Sequence, residues 1–299
     1  TWMQLCNRLL QMTGNSLYAD YMETAIYNAL MASLKADASQ IAKYSPLEGW
    51  RHEGEEQCGM HINCCNANGP RAFAMIPQFA YQVQDDCVRV NFYAPSEAEL
   101  VLPGKKPVRL KQTTDYPRTD QIEIEVDPAK ETAFTIALRI PAWSKIAVVS
   151  VNGQPQDGVL QGAYLPVNRK WKKGDRITVK LDLRARLVER NQAQAIVRGP
   201  IVLARDSRFG DGFVDEASVV VSKDGYVALT PVKAPGFAWL AFTAPMVLGT
   251  DLESNRAPKQ IHFCDFASAG NTWDKTQRYR VWLPKTLNVM HSPYRPYNQ

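Results

Sequence analysis

No run of apolar residues in this 299-residue chain approaches the roughly 20 needed to cross a bilayer as a helix. The chain also shows no secretory leader, no initiating Met and no Asn-x-Ser/Thr sequon, so one sign of secretion is missing while the compartment stays open. Six cysteines, unevenly spaced over such a length, do not make the disulfide framework of a small secreted domain. No internal repeat or low-complexity tract is visible. The Gly-x-Ser-x-Gly elbow, the phosphate loop, the His-Glu-x-x-His zinc helix, the Gly-x-Gly-x-x-Gly fingerprint and the EF-hand loop are all missing. Clustered positive charge is missing too. The net charge is only +5, and the densest basic stretch, Arg169-Lys170-Trp171-Lys172-Lys173, runs into Gly174-Asp175 and reads as a solvated turn before a strand. We therefore expect neither a membrane nor a nucleic acid as partner.

What is there is ordinary globular composition with a mean hydropathy of −0.31. Trp2, Leu5, Cys6, Leu9 and Leu10 share one helical face, and Thr13-Gly14 supplies the stop, Gly being suited to the left-handed position after a helix. Asn15 or Ser16 then caps a second helix whose apolar face includes Tyr18, Met22, Ala25, Ile26, Ala29, Leu30 and Leu34. A short helix–Gly–helix connection predicts an antiparallel pair. The first helix opens without a clear cap or leader, which leads us to expect chain upstream of it. Residues 37–66 lack periodicity and hold Arg51-His52-Glu53-Gly54-Glu55-Glu56. Arg71 to Ala80 has helical spacing, against which Pro77 argues.

From about Tyr81 the pattern changes to period-two alternation. Val88–Phe92, Gln121–Val126, Phe134–Ile140 and Ile177–Leu181 read as strands, punctuated by turn pairs such as Asn152-Gly153. More strands follow Gly199-Pro200, and Tyr279-Arg280-Val281-Trp282-Leu283 closes the series. Helices first, then one or two antiparallel β-sandwiches, is the predicted order.

Chemistry concentrates in Cys58-Gly59-Met60-His61-Ile62-Asn63-Cys64-Cys65-Asn66-Ala67-Asn68-Gly69-Pro70. Three thiols and an imidazole within eight residues suit zinc, which keeps a coordinated thiol deprotonated. Neighbouring cysteines do not readily bridge each other, and two adjacent thiolates repel unless a cation holds them. The alternative is that Cys64 and Cys65 are small buried hydrophobes. Glu53, Glu55 and Glu56 lie close enough in sequence to offer a general acid, although glutamates in a polar loop are commonly just solvated. Asp85-Asp86 reads as a turn. Trp143, Trp171, Trp239, Trp273 and Trp282 are able to stack on sugar rings, or to pack the core.

The string from Trp2 to Asn15, continued through Tyr18-Ala19-Asp20 and Glu23 to Leu30, resembles the helix following the zinc-binding Glu-x-Cys of the β-L-arabinofuranosidases, glycoside hydrolase family 127 and its close relatives. The resemblance returns at Asn63-Cys64-Cys65-Asn66-Ala67-Asn68-Gly69-Pro70-Arg71. It continues through Leu138–Ser144, Val151-Asn152-Gly153, Trp171–Asp175 and Arg198–Ala204. It implies an α+β multidomain chain: the last helices of an (α/α)6 barrel over residues 1–84, a β-sandwich over 85–190 with a return strand at about 278–299, and a second sandwich over 191–277. It further implies a zinc-dependent retaining glycosidase. Cys64 would be nucleophile and zinc ligand, Cys65 a second ligand, Zn2+ the cofactor, and an arabinofuranoside-containing oligosaccharide or plant glycan the substrate. The family's acid/base Glu and its Glu-x-Cys ligands have no counterpart in these residues, so the isolated chain is expected to be inactive. The segment also departs from the family in Asn66-Ala67-Asn68, where many relatives carry prolines, and Cys58 and His61 are outside the family's ligand set. Two other readings stand beside this one. One is a non-catalytic carbohydrate-binding or structural module; the other is a structural zinc site of Cys58, His61, Cys64 and Cys65.

Overall fold

The computed structural model describes residues 1–54, 64–249 and 257–286. The chain is mostly β-sheet with few helices and divides into two compact units that interleave along the sequence: Thr1–Ala25 with Pro70–Leu183, and Ile26–Gly69 with Arg184 onward.

In the first unit, helix α1 (Trp2–Thr13) ends as predicted at Gly14, whose φ of 66° is left-handed and whose N–H returns to the Leu10 carbonyl. Of the two candidate caps of helix α2 (Leu17–Ala25), Asn15 fills the role, its Oδ1 accepting from the Leu17 N–H at 3.0 Å. Ser16 instead donates to the Gly162 carbonyl at 2.6 Å. Cys6, Leu10, Ala19 and Met22 are buried, but the expected apolar face of α1 is only half used: Trp2 and Leu5 remain 54% and 49% exposed.

The strands form two sheets. One runs Ala163–Trp171, Thr132–Ile140, Cys87–Val90, Tyr81–Gln84; the other runs Ser96–Leu102, Lys106–Thr114, Gln121–Pro128, Asp175–Lys180, Val148–Val151, Gln154–Pro155. Along Gln121–Pro128 every second residue is buried, so Ile122, Ile124 and Val126 face inward and their neighbours outward. Gln112, buried, ties the two sheets by donating to both the Tyr81 hydroxyl and the Phe92 carbonyl. The predicted Asn152-Gly153 turn has positive φ at both residues, 50° and 79°, as a tight hairpin demands. Asp85, at φ 51°, makes the turn between Gln84 and Cys87.

In the second unit one branched antiparallel sheet is covered on both faces. Ile196 and Leu203 enter one core with Phe242, Met246 and Phe263; the residues beside them, Ala195 and Ala204, enter the other with Ala32, Cys264, Phe266 and Tyr279. That is why burial runs almost unbroken along Ala193–Ile196 and Leu203–Asp206 rather than alternating. Two boundaries differ from expectation. Ala185–Arg190 pairs into this sheet, and the closing strands Tyr279–Arg280 and Leu283–Pro284 pair with Ile201–Asp206 and Ala193–Arg198 rather than returning to the first sandwich. Residues 287–299 lie outside the described residues. Between Ala25 and the cysteines, Ile26–Leu30 is a π-helical turn, and the chain then folds back on itself, Leu34 bridging to Ile41.

Candidate active site

Cys64 immediately precedes helix α3 (Cys65–Ala80), and Cys65 is the first residue of that helix. The start of this helix is earlier than the spacing predicted, because Asn66 to Pro70 is helical rather than a turn. Pro70 and Pro77 both lie inside it. Proline has helical φ but removes one backbone bond, a loss of about 3 kcal/mol that packing must offset. Cys64 closes the helix start: its carbonyl accepts from the N–H groups of Ala67 and Asn68 at 3.3 and 3.0 Å, and from the Asn68 side chain at 3.0 Å. Cys64 is exposed and Cys65 half-buried, and neither forms a disulfide. The two side chains are hydrogen-bonded to each other. Burial, then that bond and the charge of Cys64, push the Cys65 thiol up; Lys43 acts in the opposite sense. A helix start favours anions, so the pair occupies the end where a thiolate is best tolerated.

The segment from Ile41 to Tyr44 packs against residues 53 and 54. The Lys43 N–H donates to the Glu53 carbonyl at 2.8 Å, and Gly54 lies so close that a Cβ there would stand 3.1 Å from the Tyr44 ring. Tyr44 is itself 54% exposed. Trp50 and His52 have ring centroids 4.3 Å apart, and Lys275 lies over Trp50. Between them Arg51 is wholly buried. Its guanidinium donates to the carbonyls of Ala32, Phe266 and Ala269 and sits between the rings of Phe266 and Tyr279, at 4.6 and 4.9 Å. Sequence reasoning missed Arg51, since a buried arginine in a polar stretch looks like any exposed one.

The structure brings Cys64 and Cys65 together. Glu53 is exposed and engaged through its carbonyl. Glu55, Glu56, Cys58 and His61 lie outside the described residues, and among the described residues no group of three His, Cys, Asp or Glu side chains is placed to hold a metal. The tryptophans pack: Trp171 is fully buried against Phe134, Trp143 stacks on Tyr116, Trp239 stacks on Tyr27, and Trp282 packs against the second unit's core. Trp273 has φ 62°, unusual for a bulky residue, with Lys35 over its ring.

The fold resembles that of two solved structures. A GH127 β-L-arabinofuranosidase from Geobacillus stearothermophilus T6 superposes with a TM-score of 0.78 at 22% identity, covering 95% of this chain and 48% of that one. A GH127 β-arabinofuranosidase gives 0.77 at 23% identity, covering 96% and 48%. Residues 1–78 match the GH127 β-L-arabinofuranosidase catalytic domain and residues 87–183 the GH127 middle domain, together more than half of the sequence. The chain belongs to glycoside hydrolase family 127. It is also 26% identical over 222 residues to the non-reducing end β-L-arabinofuranosidase of Bifidobacterium longum subsp. longum, over 65% of this chain and 32% of that protein. The chain thus spans about a third of its curated relative's length and about half of the solved relatives'.

Proposed function

We propose that this chain carries the nucleophile and half of the zinc site of a retaining β-L-arabinofuranosidase. The observation that carries the reading is the hydrogen-bonded pair at the start of α3, with Cys64 open to solvent and Cys65 drawn inward. Two sulfurs in contact, one of them held above the ordinary thiol range by burial and by the other, form a donor set that a soft divalent cation relieves. Cys64 and Cys65 would hold the zinc, and its remaining ligands and the acid/base carboxyl would come from outside these 299 residues. The half-used apolar face of α1 supports a larger helical domain, the (α/α)6 barrel, around these helices. When bound, zinc keeps the coordinated sulfurs deprotonated.

In this reading the Cys64 sulfur attacks the anomeric carbon of a terminal arabinofuranose. The C–O bond to the leaving group breaks as that oxygen takes a proton from the acid. A water then attacks the same carbon, giving its proton back to the carboxylate. The C–S bond breaks, and Cys64 leaves as the thiolate it began as. The anomeric configuration is retained because it inverts twice. The substrate class is a glycan ending in β-L-arabinofuranose.

The test uses the whole protein with its upstream residues, an aryl β-L-arabinofuranoside, and Cys64→Ala beside it. Aryl release by the parent and not by the variant, with zinc present by elemental analysis, is the expected result. Equal release by both would remove Cys64 from the nucleophile's role, and no release with no zinc would leave a binding module. The isolated chain is expected to show no turnover.

A further inference from the structure

Gly69 is a buried helical residue whose φ lies outside the left-handed region, so the freedom it uses is space. It stands four residues after Cys65, one helical turn on. A Cβ built there would collide with Cδ1 of Ile41 and stand 3.2 and 3.4 Å from its Cγ2 and Cγ1. Ile41 is stiff at χ1, only 7% exposed, and sits in a segment fixed on both sides. Ile41 bridges to Leu34, the Ala42 N–H donates to the Ser33 carbonyl at 2.7 Å, and the Lys43 N–H donates to the Glu53 carbonyl. Rotation about χ2 moves Cδ1 but leaves Cγ2 where it is.

We infer that Gly69 and Ile41 are positioning residues: the contact between them sets where the first turn of α3, and with it Cys64 and Cys65, stands. Asn68, beside Gly69, fixes the Cys64 carbonyl with both its backbone and its side chain. Displacing Gly69 from Ile41 therefore displaces the carbonyl of the reactive residue. The inference rests on the reading of Cys64 as nucleophile for its consequence in catalysis, but the geometry of the pair is measurable without it.

The experiment introduces Gly69→Ala into the full-length protein, alone and with Ile41→Val, which deletes the methyl that the new Cβ strikes. Two readouts are taken: kcat and KM on the aryl arabinofuranoside, and the ratio of iodoacetamide adducts at Cys64 and Cys65 by peptide mass spectrometry. Gly69→Ala is expected to lower kcat about 10- to 100-fold, the scale of an ångström-sized misplacement, with KM changed less than about threefold. The adduct ratio should shift with it, and the double variant should return both to within about threefold of the parent. A wild-type ratio and kcat in Gly69→Ala would overturn the inference, as would a loss that Ile41→Val does not repair. If Gly69→Ala does not fold, the double variant decides alone: parental values support the contact, and failure to fold refutes it. Should the parent show no glycosidase activity, the functional reading fails while the adduct ratio still decides the positioning.

Discussion

Arg139, in the strand Thr132–Ile140, donates from Nη2 to Oε1 of Glu23 on α2 at 2.6 Å, with neither side chain meaningfully exposed to solvent. The same guanidinium pairs with Asp20 and gives its Nε to the Asn91 carbonyl, while Tyr116 and Trp143 donate to Glu23 and the Ala142 N–H donates to Asp20. A cation and two carboxylates with these donors fasten α2 to the sheet of the first unit. Replacing Arg139 by Met leaves two buried carboxylates without their counter-charge. The expected cost is about 3–5 kcal/mol, read as a lowered denaturant midpoint. A loss under about 1 kcal/mol would show that the pair is solvated in solution.

Arg51 does the corresponding work in the second unit, where its partners among the described residues are main-chain carbonyls. Burial lowers its pKa, opposed by the charges of Tyr279, Cys264, Asp265 and Asp206, and three main-chain carbonyls accept its protons. Arg51→Met keeps the volume and abandons those carbonyls, at about 1–3 kcal/mol for each one left unsatisfied. We expect a fall of several kcal/mol in stability and faster proteolysis near residue 51, both measurable on the purified variant. Unchanged stability would mean that water replaces the guanidinium.

Asp127 offers a pH test. The Arg109 guanidinium, bonded to it at 2.6 Å, lowers its pKa together with the Gly174 N–H at 2.9 Å, against the opposing effect of burial. A carboxylate depressed in the folded state contributes stability that is complete above the unfolded value of about 3.9 and is lost as pH falls through the folded one. Unfolding free energy should therefore decline with a steeper slope below about pH 4 in the parent than in Asp127→Asn. Parallel curves would show that Asp127 titrates alike in both states.

Thiol chemistry separates the cysteines by burial. Cys64 is exposed, Cys65 half-buried, and Cys6 and Cys264 are buried, the Cys264 thiol pushed well up by burial and by Asp265 and Asp206 beside it. Iodoacetamide at neutral pH should modify Cys64 first, Cys65 more slowly, and Cys6 and Cys264 only after unfolding. Modification of Cys264 in the native protein would contradict the packing of the second core.

Where a feature depends on a few neighbouring residues, it was legible in advance. Thr13-Gly14 stops α1 because a residue without Cβ takes φ 66° at little cost, and Asn152-Gly153 turns the chain for the same reason. The alternation at Gln121–Pro128 announced a half-buried strand. The adjacency of Cys64 and Cys65, and the family resemblance around them, marked the candidate site. Helix α3 begins earlier than the spacing of Arg71 to Ala80 suggests, because the turn-like Asn66-Ala67-Asn68 carries no record of the tertiary packing around it.

The sequence by itself determined the turns, the strand faces, the order of helix and sheet, and the pair of thiols, because each follows from backbone sterics or from residues side by side. Only the tertiary structure decided which charges are buried, where the closing strands pair, and what stands behind the cysteines. Arg139 meets residues 116 and 119 positions away, Arg51 meets carbonyls up to 218 away, and Gly69 meets Ile41 from another part of the chain. Burial of a charge or the fit of a methyl depends on atoms contributed by distant segments, and no local pattern records who those neighbours are.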